Sequence, residues 1–176
     1  HGPVGVQPKQ PGMTELAYQI TNYSCFTWLN GSFIVDWVIH NLDVCCWAKN
    51  AWPEVVQGMG GRQVRQDADQ LFDHYGAEYT FADGAKALVN GRFLSGAYAE
   101  FATFIHGTKC AAQFSGSIHA PKVQTFRDQR TIGGEAVWRP RPESVNPYRA
   151  EWEALLHAIR EDRKHNEVRR SANSNL

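Results

Sequence analysis

Residues 33–49 (Phe-Ile-Val-Asp-Trp-Val-Ile-His-Asn-Leu-Asp-Val-Cys-Cys-Trp-Ala-Lys) constrain the fold more than any other stretch of the chain. Ile34, Val35, Trp37, Val38, Ile39, Leu42 and Val44 make a helix here apolar on nearly every side, and such a helix is expected to be largely buried. Asp36, His40 and Asp43 interrupt it at i, i+4 and i+7, a spacing that puts all three on one stripe, with Asn41 beside them. A buried polar group without a partner costs roughly 1–3 kcal/mol. The stripe therefore faces a polar cleft, another polar element or solvent.

The rest of the chain reads as an α+β domain. Residues 1–13, rich in Gly, Pro and Gln, are an extended arm or loop. Thr14 caps a helix running through Leu16, Ile20 and Tyr23 toward Trp28, and Asn30-Gly31-Ser32 breaks it. Pro53 leads into a strand over 54–59 that ends at Gly60-Gly61, a strand end needing unusual φ. Residues 74–81 and 85–93 form a hairpin across Asp83-Gly84. Short strands follow near 100–105, 110–114, 123–127 and 136–139, and 139–142 is a loop. Asn146 and Pro147 open a last helix with Tyr148, Trp152, Leu155, Leu156 and Ile159 on one apolar face. The tail, 160–176, reads as a solvated helix end and a frayed terminus. Helices, a run of strands and a final helix predict a mostly antiparallel open sheet with helices on one face.

Composition narrows the function. Eighteen basic and eighteen acidic side chains cancel, so nothing draws the chain toward nucleic acid or an anionic membrane. No apolar run reaches the length of a membrane span. Cys25, Cys45, Cys46 and Cys110 form no Cys-x-x-Cys pair, which predicts neither a disulfide framework nor zinc and points to a reducing, cytoplasmic setting. His106, His119, His157 and His165 lack metal-ligand spacing, and no metal is expected.

Two readings of the stripe compete. An imidazole near neutrality can take a proton from a substrate, and a carboxylate one turn away can orient it. Alternatively, Asp36 and His40 form a structural pair. Elsewhere the structural reading leads: Lys109 and Arg62 as surface charges, Asp73-His74 exposed at a strand start, and Trp28, Trp37 and the ring of Tyr148 as core.

The run from Phe26 to Val44, with Asp36-Trp37-Val38-Ile39-His40-Asn41-Leu42-Asp43 at its heart, resembles the glucose–fructose oxidoreductase / inositol dehydrogenase / MocA family. So do Trp47, the segment from Pro53 to Arg62, Asp73-His74, Gly107-Thr108-Lys109 and Asn146-Pro147-Tyr148, in family order. The resemblance implies a C-terminal substrate-binding and oligomerisation domain, similar to the glyceraldehyde-3-phosphate dehydrogenase C-terminal domain, spanning 1–176 and cut from a longer enzyme at both ends. Its partner would be a Rossmann domain binding NAD or NADP, absent here: there is no Gly-x-Gly-x-x-Gly, and Gly58, Gly60 and Gly61 are not that fingerprint. Any native address, a periplasmic one included, would lie in that missing part.

On this resemblance His40 is the acid/base on the substrate hydroxyl and Asp36 helps orient it. Asp43, Asn41 and Tyr148 are candidate substrate contacts. The implied substrate is a sugar, polyol or cyclitol bearing a secondary alcohol. The chain alone is expected to be inactive, and self-association through the uncovered sheet face is expected. Two rivals stand beside this reading: an NAD-dependent glycosidase working by transient oxidation and elimination on the same fold, and a non-catalytic oligomerisation or ligand-binding module.

Overall fold

Thr14 accepts a hydrogen bond at Oγ1 from the Ala17 amide (3.2 Å), which caps α1, Glu15–Thr21. The computed structural model describes residues 5–114, 123–140 and 146–175. They fall into two units, one reaching Ala99 and the other spanning Glu100 to Ser174. The residues expected as one helix toward Trp28 are instead three pieces: α1, a 3₁₀ turn over Tyr23–Cys25, and α2, Thr27–Asn30. Asn22 causes the break. Its buried carboxamide donates to the carbonyls of Tyr18 (3.0 Å) and Gln7 (3.2 Å) and accepts from the Gln7 amide (2.7 Å). Asn competes with helical hydrogen bonding in this way. The break leaves Trp28 at the surface rather than in the core, its Nε1 donating to Gln19 (2.8 Å).

Gly31 and Ser32 both take the left-handed conformation, at φ +73° and +74°. A Cβ on Gly31 would lie 2.8 Å from that of Val35, so glycine is required there. Ser32 holds a conformation that is strained for a side-chain-bearing residue, and its hydroxyl is hydrogen-bonded to the Tyr75 phenol. Next comes a π-helical turn, Ile34–Val38, in which the Ile39 amide reaches back five residues to the Ile34 carbonyl. α3, Ile39–Lys49, continues from it and ends at Asn50, left-handed at φ +50°.

Three antiparallel strands follow in the order β1 (Pro53–Gly61), β2 (His74–Phe81) and β3 (Lys86–Arg92). The Asp83-Gly84 turn forms as expected, with Gly84 at φ +82° and Asp83 paired to Lys49 at the end of α3. Strand alternation sets which residues meet the helix. Tyr75, Ala77, Tyr79, Ala87 and Val89 point toward Phe33, Val38, Leu42 and Cys46. Phe33 stacks on Phe93 with centroids 4.9 Å apart. On the other face, Val55, Met59 and Leu88 are exposed among Glu78, Thr80 and Lys86. The expectation of a largely buried helix is corrected: Val35 and Trp47 are exposed, because only one side of the helix meets the sheet.

The second unit has four antiparallel strands in sequence order: β4 (Thr103–His106), β5 (Ala111–Phe114), β6 (Val123–Phe126) and β7 (Ala136–Trp138). Directly opposite across β5 and β6, Gln113 and Gln124 are buried and joined at 2.6 Å. Asn146 caps α4, Pro147–Arg160, accepting from the amides of Tyr148 (3.0 Å) and Arg149 (3.4 Å). The reading of 160–176 as a frayed tail is overturned by α5, Val168–Ser174, which is capped by Asn166 (2.9 Å to the Val168 amide) and ends on a buried Ser174. Pro142, in the expected 139–142 loop, and His119 lie outside the described residues. The seven strands of the described residues fall where the sequence places them, and the fold is α+β with antiparallel sheets.

Candidate functional site

The π turn sets the phase of the helix. In a regular α-helix, residues five apart point in different directions. Closing one turn at i+5 brings both Phe33 and Val38 onto the sheet, and Leu42 and Cys46 follow at intervals of four. The opposite side then carries Asp36 and His40, both exposed, and Asp43, half-buried, with Asn41 also half-buried beside them. His40, Asn41 and Asp43 each interact with other groups.

Asp36 is one of the residues lining a recess of about 20 Å³, with Ser24, Asn30, Phe33, Trp37, Leu71 and Phe93. The structure thus brings four of the five candidate residues onto one helical segment. Tyr148 belongs to the second unit, in the first turn of α4, and its ring is half exposed rather than core, because its side of α4 is open.

Residues 62–73 hold a polar network that the sequence reading missed. Asp73 is fully buried, correcting its expected exposure. Its Oδ2 accepts from three successive amides, those of Gln63 (2.9 Å), Val64 (2.7 Å) and Arg65 (2.9 Å), and its Oδ1 accepts from His74 Nδ1 (2.8 Å). Burial pushes this carboxyl up, but the three amides and His74 outweigh it and hold the group well below the usual carboxylate range. Arg65, itself buried, donates from Nε to Asp69 (2.6 Å) and lies over the Phe93 ring at 5.3 Å. Arg62 is no loose surface charge: it donates to the Asp69 carboxylate (2.7 Å) and carbonyl (2.6 Å). The readable signal was the pair Arg62 and Arg65 followed by Asp69 and Asp73 in a segment without helical periodicity. The network fixes Leu71 and Phe93, two walls of the recess.

Gly58, Gly60 and Gly61 lie within β1, and none has positive φ. Their reading as a strand end needing unusual φ is therefore corrected to one of close approach. A Cβ on Gly60 would sit 2.9 Å from the His74 carbonyl oxygen, and one on Gly61 would meet the His74 ring at 3.0 Å. A strand of glycines does not form the turn before a helix that cradles a pyrophosphate, so these residues do not fit a dinucleotide. Among the described residues no cluster of three or more His, Cys, Asp or Glu could hold a metal ion, and no helix is long and apolar enough to cross a membrane.

The GFO/IDH/MocA C-terminal domain, as a sequence family, matches residues 19–113. No curated protein sequence matches the chain. Among solved structures, an aldose–aldose oxidoreductase from Caulobacter crescentus, complexed with glycerol, is similar at a TM-score of 0.67 and 14% identity, over 85% of this chain and 44% of the other. The WlbA dehydrogenase from Bordetella pertussis, in complex with NADH and UDP-GlcNAcA, gives 0.61 and 14% over 92% and 45%. A biliverdin reductase from Synechocystis, with biliverdin and NADP+, gives 0.60 and 14% over 87% and 46%. The chain spans about half the length of these relatives. At such identities the likeness establishes the fold.

The Asp73 network makes a prediction about acid stability. A carboxyl whose folded pKa is lowered stabilises the protein fully above its unfolded value of about 3.9 and loses that contribution as pH falls toward the folded value. The urea midpoint should decline from about pH 5 downward. Asp73→Asn should cost roughly 2 kcal/mol or more at pH 7 and flatten that decline. An unchanged acid slope in the variant would assign the pH dependence elsewhere.

Proposed function

Because the chain belongs to the GFO/IDH/MocA family and carries its C-terminal domain, we propose that it is the substrate-side domain of an NAD(P)-dependent oxidoreductase acting on a secondary alcohol of a sugar, polyol or cyclitol. The observation that carries this reading is the outward stripe: Asp36 and His40 are exposed on a helix whose opposite side is anchored to β2 and β3. Relatives that act on aldoses and nucleotide sugars favour a polyhydroxylated substrate. The biliverdin reductase is a reminder that this fold serves other chemistry too.

In this reading His40 accepts the proton from the reacting hydroxyl. Asp36 helps to orient both the imidazole and the substrate. Asn41 and Asp43 contact the substrate further along the stripe. NAD or NADP would supply the oxidation of the alcohol carbon and be held by a separate Rossmann domain of the parent enzyme. The present chain by itself would be inactive. In the full-length parent, His40→Ala is expected to lower kcat by about 10²-fold or more, the usual effect of losing an acid–base group, measured as nicotinamide reduction. Unchanged turnover would remove His40 from the chemistry.

The outer face of the first sheet favours self-association as well. Met59 and Leu88 are 81% and 71% exposed and share that face with Val55, which is unusual for a surface left in water. Leu88→Lys combined with Met59→Lys is expected to shift the protein to monomer in light scattering. A monomeric wild type at high concentration would contradict the interface.

A further inference from the structure

Two successive residues at the entry to the site-bearing helix are left-handed, Gly31 at φ +73° and Ser32 at φ +74°. At Gly31 a side chain is excluded, because a Cβ would lie 2.8 Å from that of Val35. Ser32 adopts nearly the same φ with a side chain present. Glycine holds that conformation without strain, whereas serine holds it against strain. The turn by itself therefore does not call for serine; the hydroxyl is what glycine could not supply. That hydroxyl is buried and hydrogen-bonded to the Tyr75 phenol on β2.

Tyr75 is a fixed anchor. Its ring packs against Phe33 and Phe72, with centroids 6.1 Å and 5.9 Å away. Gly60 lies opposite it on β1, where a Cβ would come within 3.3 Å of the Tyr75 ring. Burial pushes the phenol above its ordinary range, so it keeps its proton at neutral pH. The bond joins residues 43 apart in sequence and ties the start of the helical segment to the middle strand of the sheet.

The tie bears on the phase of the helix. Phe33, next to Ser32, and Val38 both lie in the core against the sheet, five residues apart. The segment between them closes as a π turn, with the Ile39 amide on the Ile34 carbonyl. Asp36 sits inside this turn and His40 just beyond it. An α-helical turn closes one residue earlier. If the entry relaxed to that closure, Asp36 would rotate against His40 by up to about 100°, the turn of one α-helical residue.

We infer that Ser32 and Tyr75 are positioning residues, whose hydroxyl–phenol bond holds the π turn and so sets the direction of Asp36 relative to His40. The inference deepens the function proposed above and rests on it for what the stripe does. Its first readout is the hydrogen-bond register of this chain and not turnover, so the two can fail separately.

In the ¹⁵N,¹³C-labelled chain, the coupling across the hydrogen bond from the Ile39 amide to the Ile34 carbonyl reports the π closure. It is expected in the wild type and lost in Ser32→Gly and in Tyr75→Phe, with the Ile34 carbonyl coupled to the Val38 amide instead. Ser32→Gly should keep its urea midpoint, because relief of strain offsets the lost bond. In the full-length parent each variant should lower kcat roughly tenfold or more with KM little changed, as misplaced reacting groups do. The double variant should be no slower than the slower single one, because both changes remove the same bond. If Tyr75→Phe loses the dispersed spectrum of a folded protein, Ser32→Gly decides alone. An Ile39–Ile34 coupling absent from the wild type or retained in Ser32→Gly would overturn the inference. So would additive losses in the double variant, or full kcat in Ser32→Gly of a parent that His40→Ala impairs. If His40→Ala leaves kcat unchanged, the proposed function fails and the coupling alone decides the role of the pair.

Discussion

The packing of one helical edge onto two strands governs the first unit. Phe33, Val38, Leu42 and Cys46 meet the alternate residues Tyr75, Ala77, Tyr79, Ala87 and Val89. Each large side chain buried there contributes on the order of 1.5–3 kcal/mol. Gly91 lets the helix come close, because a Cβ at that position would sit 3.2 Å from Phe33 and 3.4 Å from Val38. With this side committed to the sheet, the geometry of the chain leaves Asp36 and His40 on the other. The π turn is the adjustment that lets both Phe33 and Val38 reach the sheet, and it places Asp36 within itself.

The strain around this segment is localised and supported. Two successive left-handed residues, Gly31 and Ser32, turn the chain into the π segment. Ser32 is anchored through its hydroxyl to Tyr75 on β2, and Phe33 is held by its stack on Phe93. Behind Phe93, Arg65 and the buried Asp69 and Asp73 carboxylates lock the 62–73 loop. A buried charge is tolerated only when fully engaged, and Asp73 achieves this with four hydrogen bonds. The loop is thus built from polar interactions where the rest of the unit uses apolar ones, and it supplies Leu71 to the recess and holds Phe93 beside it without contributing a reacting group.

Strands were legible because their signals are local. The alternation in 74–81 and 85–93 and the Asp83-Gly84 turn need no knowledge of distant residues. The same holds for Asn146-Pro147 as a helix start. The broken first helix was not legible, because Asn22 acts through Gln7, fifteen residues away. The π turn was not either, since i+4 spacing of Asp36 and His40 is compatible with both helix types. Asp73 looked like a surface acid because its three amide partners, Gln63, Val64 and Arg65, are brought to it only by the folded loop. The candidate stripe could be read from residue types and spacing. The recess beside it, made from five separate segments, could not.

A structure of the full-length parent with nicotinamide dinucleotide and a polyol bound tests the central claim most directly. The account predicts a His40 ring nitrogen within about 2.6–3.2 Å of the hydroxyl on the carbon facing the nicotinamide, the reach required of an acid–base group, with Asp36 bonded to a neighbouring hydroxyl. A polyol seated elsewhere, with the Asp36–His40 stripe facing bulk water, would contradict it.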